Sequence, residues 1–161
     1  REGDWAGWGI VWRIYLYSRL FRAEKAGKML DLLFDETKGL LLPNGFAAHP
    51  YECGKVFQYD ANAGFPGALL EMFISCPKDV IYLLPAVPKR FEGGKICGVR
   101  TFGGFIVESL AFCKGEVKEC IIVSENGGIL AVETAGKRYS FETKKGGRYI
   151  VGEAGIAEAG C

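Results

Sequence analysis

The sequence predicts an α+β chain, with helices first and strands second. Two observations carry this. Up to about residue 78, apolar residues recur at helical spacing or on all sides of a segment; from residue 79 they fall into short β-type runs. Those runs are separated by glycine-bearing pairs such as Gly103-Gly104, Lys114-Gly115, Ala135-Gly136 and Gly146-Gly147.

The first helical pattern runs over residues 8–36. WGIVWRIYLYSRLF is apolar around most of its circumference, as in a helix buried between neighbours. AEKAGKMLDLLFDE follows after a short link, with Met29, Leu30, Leu33 and Phe34 on one face and Lys25, Lys28 and Asp31 on the other. The spacing predicts a helical hairpin. Residues 38–63 read as irregular, with turn signals at Lys38-Gly39 and Pro43-Asn44-Gly45. A third helix is expected over about 66–75, with Pro66 near its first turn and Pro77 ending it.

From residue 79, IYLLPAVP, KICGVRTF, GFIVESLAF, VKECIIVS, GILAVETA, KRYSFET and RYIV read as strands of an antiparallel sheet or sandwich. Pro85 and Pro88 confine their segment to an edge or a connection. The expected division is a helical part over 1–78, a β-domain over 79–152 and a loose tail over 153–161. The helix at 8–22 calls for apolar partners that this sequence does not supply. The chain opens on Arg1 directly into a patterned segment. Both features predict that it is the end of a larger polypeptide, with upstream sequence of the same polypeptide as a partner and any signal peptide unassigned.

Composition bounds the function. Across 161 residues the formal net charge is +1, which gives no field favouring nucleic acid or an acidic membrane. No apolar stretch approaches the roughly 20 residues of a membrane span, and Arg13, Arg19 and Arg22 interrupt the first helix. The six cysteines form no CxxC pair, and His49 is the single histidine. Closely paired metal ligands are missing, so neither a metal nor a cofactor is expected. Free, mostly buried thiols are the simplest reading and favour a reducing, cytoplasmic compartment. The GFPG stretch at 64–67 lacks the preceding strand and following Lys-Ser/Thr of a phosphate loop. No Gly-x-Ser-x-Gly elbow occurs.

The candidate chemistry lies in FQYDANAG, residues 57–64. Asp60 stands between Gln58 and Asn62. In an extended segment a spacing of two puts all three on one face, where the amides flank and orient the carboxylate. Trp8 and Trp12 share one helix face, as core residues by default or as a platform for a sugar. Glu52 reads as solvated and Glu71 as a structural acid.

These motifs fall in an order that resembles glycoside hydrolase family 95. GDWAGWGIVWRIYLYSRL, residues 3–20, resembles that family's G-x-x-x-G-W-S-x-x-W-K-x-x-x-W-x-R-L helix. AHP at 48–50 with FQYDANAG resembles H-P-P-F-Q-I-D-G-N-F-G, and GALLEMFIS resembles A-G-I-x-E-M-L. Residues 81–108 resemble L-L-P-A-L-P-x-x-W-x-x-G-x-V-x-G-L-R-A-R-G-G-F. The likeness extends to about residue 134. It implies the last helices of an (α/α)6 barrel followed by a C-terminal β-domain. It also implies a metal-free, inverting hydrolase of α-L-fucosides or related α-L-glycosides, acting on an oligosaccharide or glycoside substrate. By the same likeness Asp60 is the catalytic base, and His49, Gln58, Asn62 and Trp8 are substrate-binding residues.

The sequence departs from the pattern in places. Tyr-Glu-Cys-Gly-Lys-Val intervenes between Pro50 and Phe57, Gly9 replaces serine, and Ala61 and Ala63 replace glycine and phenylalanine. The family's general-acid glutamate and its assisting asparagines have no counterpart here. The chain alone is therefore expected to be inactive. The alternatives are a non-catalytic fragment or an interaction β-domain. A stand-alone carbohydrate-binding module would leave the helical half uncovered.

Overall fold

A computed structural model describes residues 6–38, 40–48, 56–152 and 155–159. The chain forms two compact units. One comprises residues 1–73 with 85–88, and the other 74–84 with 89–161.

The first unit contains three helices: α1 (Gly7–Arg19), α2 (Ala23–Leu33) and α3 (Tyr59–Phe73). Helix α1 packs against both others, burying Gly7, Ile10, Val11, Ile14 and Ser18 on one face. Ser18 satisfies its buried hydroxyl by donating to the Ile14 carbonyl at 2.8 Å. The opposite face is apolar too. Trp8, Trp12, Leu16 and Leu20, each four residues from the next, are 50%, 58%, 40% and 62% exposed. Among the described residues nothing covers Trp8 or Trp12, because α2 and α3 both lie against the other face.

No glycine marks the turn after α1. Phe21 instead takes the left-handed conformation (φ 55°). Its N–H bonds Ser18 O at 3.1 Å, and Arg22 N–H bonds Tyr17 O at 2.8 Å. This paired closure of a helix end normally uses glycine. Helix α2 buries Ala26, Gly27, Leu30 and Leu33. Phe34, expected on that stripe, lies just past the helix end and is 55% exposed, edge-on to Phe65 at 5.5 Å.

Helix α3 begins at Tyr59, earlier than expected, so Pro66 lies in its interior. Gly64 and Gly67 permit close contact with α1. A Cβ on Gly67 would stand 2.1 Å from Tyr15 Oη, and one on Gly64 would stand 3.1 Å from Val11 Cγ1. Pro66 removes only one intrahelical bond. The segment 85–88 also belongs to this unit: Ala86 N–H donates to Met72 O at 3.1 Å. A Cβ on Gly27 would lie 2.9 Å from Pro88 Cγ.

The second unit holds two sheets. The first has the order β1-β2-β6-β7: Ile74–Ser75, Ile81–Leu83, Gly128–Thr134 and Lys137–Thr143. The second has the order β3-β4-β5-β8-β9: Gly93–Thr101, Phe105–Cys113, Glu116–Ser124, Arg148–Gly152 and Gly155–Glu158. The pairing is mostly antiparallel, as expected, but β2 and β6 run parallel, with Ile81 opposite Val132. Their partnership spans the whole β3–β5 meander, so no local turn signal announced it. The tail, expected to be loose, contains β9, which pairs with β8 from Tyr149↔Glu158 to Gly152↔Gly155. Backbone pairing needs no apolar side chains, which is why composition did not reveal it.

Val107, Leu110, Cys120, Ile122, Leu130, Val132, Tyr149 and Val151 form the core of this unit. The described cysteines form no disulfide with one another. Cys120 alone of them is buried, Cys76 is intermediate, and Cys97 and Cys113 are exposed, against the expectation of mostly buried thiols. Desolvation pushes the Cys120 thiol up to about 12.

Candidate functional site

The stretch that drew attention in the sequence forms the entry to α3. The chain arrives through a hairpin whose turn, Leu42–Gly45, is closed by Gly45 N–H to Leu42 O at 2.8 Å, with Gly45 at φ 79°. Leu41 then bridges Ala47, and Ala48 bridges Phe57. Gln58 N–H donates to Ala47 O at 2.9 Å, and the helix begins at Tyr59.

This geometry corrects the one-face arrangement. Asp60 and Asn62 lie in a helix, where two residues turn through about 200°. The three polar side chains therefore do separate work. Asp60 stands exposed in the first turn of α3, its Oδ1 accepting the Ala61 N–H at 3.0 Å. A helix N-terminus favours a negative charge there.

Gln58 is buried, and its Oε1 accepts the Trp8 N–H at 3.3 Å. It thus caps the start of α1, where Ala6 offers no side-chain acceptor. Gly7 makes room for this cap: a Cβ there would lie 3.0 Å from Ala61 Cβ and 3.2 Å from Gln58 Oε1. The Gln58 Nε2 donor has no partner among the described residues.

Asn62 ties the hairpin to α3. Its Oδ1 accepts the Ala47 N–H at 2.7 Å and its Nδ2 donates to Gly45 O at 3.0 Å. The Trp8 indole lies on the exposed face of α1, and only its backbone meets Gln58. His49 and Glu52 lie outside the described residues.

Sequence reasoning missed an aromatic cluster beside Asp60. Phe46 and Phe57 rings are 4.7 Å apart, Phe57 and Tyr59 rings 6.3 Å, and all three are substantially exposed. The signal was Phe57 and Tyr59 flanking Gln58, with Phe46 just after the turn glycine.

Farther along the α1–α3 contact, Arg19 Nη2 pairs with Glu71 Oε1 at 2.9 Å. Tyr15 Oη donates to Gly64 O at 3.3 Å. Burial, then the neighbouring Glu71 charge, raise the Tyr15 hydroxyl above its ordinary pKa. This group joins two helices and is structural. Among the described residues no cluster of His, Cys, Asp and Glu could hold a metal ion.

The profile of the Glycosyl hydrolase family 95 catalytic domain matches residues 1–73, and that of the Glycoside hydrolase family 95, C-terminal domain, matches residues 76–146. The chain belongs to glycoside hydrolase family 95. Its order of matches is that of the family's C-terminal portion. The chain is similar to Alpha-L-fucosidase 2 of Arabidopsis thaliana, 35% identical over 134 residues, covering 78% of this chain and 15% of the relative. It is similar to Probable alpha-fucosidase A of Aspergillus oryzae, 34% identical over 140 residues, covering 80% of this chain and 19% of the relative. A third likeness, to Probable alpha-fucosidase A of Aspergillus niger, is 32% over 130 residues. The chain thus spans under a fifth of the length of these family 95 relatives.

Proposed function

We propose that this chain carries the general-base end of an inverting α-L-fucosidase-type glycosidase, with Asp60 as the base. The observation that carries the reading is an exposed carboxylate in the first turn of α3, in a family 95 chain. In an inverting mechanism one carboxylate takes a proton from the water that attacks the anomeric carbon. A separate carboxylic acid roughly 6.5–9.5 Å away protonates the leaving oxygen. Asp60 supplies the first role, and the acid belongs to a preceding part of the polypeptide.

The first unit is the end of the helical catalytic barrel, and the second is the C-terminal β-domain. The exposed Trp12, Leu16 and Leu20 form the surface that preceding helices cover. His49 and the Trp8 indole contact the glycoside. Gln58 and Asn62 act as positioning residues: Gln58 joins the starts of α1 and α3, and Asn62 holds the hairpin beside Asp60.

The test is Asp60→Asn in the full-length polypeptide. A neutral amide of nearly the same shape cannot accept the water proton. Turnover should fall about 10²–10⁴-fold, while the Michaelis constant changes less. A folded variant retaining more than about a tenth of wild-type turnover is incompatible with Asp60 as the base.

A further inference from the structure

The second unit has a groove of about 230 Å³ between β7, an edge strand of one sheet, and strands β5 and β8 of the other, lined by Glu116, Val117, Thr134, Lys137, Tyr139 and Val151 among others. Its position follows from the ladder. Lys137 and Tyr139 are two apart on β7 and so share one face. Thr134 stands directly opposite Lys137. Val117 of β5 and the buried Val151 of β8 also line it.

The β6–β7 turn lies at the groove. Its central residues, Ala135 (φ 49°) and Gly136 (φ 72°), are both left-handed, a turn that usually begins with Asn, Asp or Gly. Alanine at the strained position keeps the side chain at the groove small.

The groove combines three chemistries: an aromatic ring with aliphatic neighbours, a hydroxyl, and charge. Glu116 is tied to Lys118 at 2.6 Å. Lys118 first, and Lys114 further, hold its carboxyl below the usual range, so it stays ionised and compensated. Lys137 makes no ion pair among the described residues. The charged lining residues are Glu116 and Lys137, and among the described residues Glu116 has an ion-pair partner while Lys137 has none.

We infer that this groove binds an anionic sugar unit: a pyranose whose carbon–hydrogen face lies on Tyr139, whose hydroxyls meet Thr134, and whose carboxylate pairs with Lys137. A flat apolar surface beside a few convergent polar groups is what a sugar ring requires, and the unpaired ammonium selects for charge. The site lies in a different unit from Asp60. It is a second, non-catalytic glycan site.

The inference is tested by calorimetry of the full-length polypeptide with trigalacturonate, with neutral galactotriose and acetate as comparisons. Binding that involves no turnover fails or succeeds independently of the role of Asp60. Trigalacturonate should bind saturably, at least about tenfold more tightly than galactotriose, and protect Lys137 from acetylation in a mass-spectrometric footprint. Lys137→Gln, a change at an exposed strand position, should weaken it by a similar factor with an unchanged circular dichroism spectrum. Equal binding of the two trisaccharides, no saturable binding, unchanged affinity in Lys137→Gln, or the same Lys137 protection by acetate would each overturn it.

Discussion

Ser124 and Thr143 join the two sheets of the second unit through a hydroxyl relay whose direction can be assigned. Both side chains are buried, and their oxygens are 2.9 Å apart. Thr143 Oγ1 donates to Gly128 O at 2.6 Å, while Ser124 Oγ accepts the Gly127 N–H at 3.1 Å. Each hydroxyl has one proton, so Ser124 donates to Thr143. Thr143→Val, nearly isosteric, leaves the Ser124 O–H without an acceptor. Gly128 is exposed and recovers water. One buried unsatisfied group costs about 1–3 kcal/mol, so a loss of about 2 kcal/mol is expected, or roughly 8–16 °C in melting temperature for a domain of this size. Thr143→Ser keeps the relay and loses one methyl group, about 0.8 kcal/mol. Adding Ser124→Ala to Thr143→Val removes the stranded donor, so the double variant should be more stable than the sum of the singles by about 1 kcal/mol. Thermal unfolding of the four proteins decides it. Thr143→Val within about 0.5 kcal/mol of wild type, or Thr143→Ser equally costly, would refute the relay.

Gly67→Ala should destabilise the helical unit by about 1–3 kcal/mol through overpacking against Tyr15 Oη, despite alanine's better helix propensity. Tyr15→Phe should restore much of the loss in chemical denaturation, because the next Tyr15 atom is 3.3 Å away. In native protein at pH 8, peptide mapping after thiol labelling should find Cys97 and Cys113 modified and Cys120 spared until unfolding. The raised Cys120 pKa also makes a pH prediction. Its contribution is fully present below the ordinary thiol value near 9 and is lost as pH rises towards about 12, since the unfolded chain loses that proton first. Denaturation midpoints measured from pH 8 to 11 should fall more in wild type than in Cys120→Ala. In the 161-residue chain alone, α1 amides should exchange faster than those of β4 and β5, because each large apolar side chain left on its open face forgoes about 1.5–3 kcal/mol of burial. Equal protection in hydrogen-exchange mass spectrometry would contradict this.

What could be read from the sequence was periodic or local. The faces of α1 and α2, the Pro43-Asn44-Gly45 turn, and the hairpin pairs Lys114-Gly115 and Ala135-Gly136 all left such signals. The start of α3 was misread because Gly64, Pro66 and Gly67 are punctuation in a sequence, whereas in the fold Gly64 and Gly67 are contact surface against Val11 and Tyr15. The arrangement around Asp60 depended on that error: with an extended chain its two amides flank it, and with a helix they do not. Asn62 tying down Gly45 and Ala47, and Gln58 capping α1 across a separation of 50 residues, are tertiary facts without a local signal. The exposed face of α1 carried the reverse lesson. An all-round apolar helix reads as buried, and the described residues cover only half of it.

The parallel ladder between β2 and β6 has a consequence for the order of events during synthesis. Strands β1 and β2 leave the ribosome well before β6, and their own ladder holds only two residue pairs. Such a ribbon does not persist alone in water. While the β3–β5 meander forms from near neighbours, the β2 edge waits for a partner more distant along the chain. Closing that long loop is the entropically expensive step. A nascent chain released before Thr134 therefore presents Ile81 and Tyr82 on an unpaired edge, where another chain can pair with it.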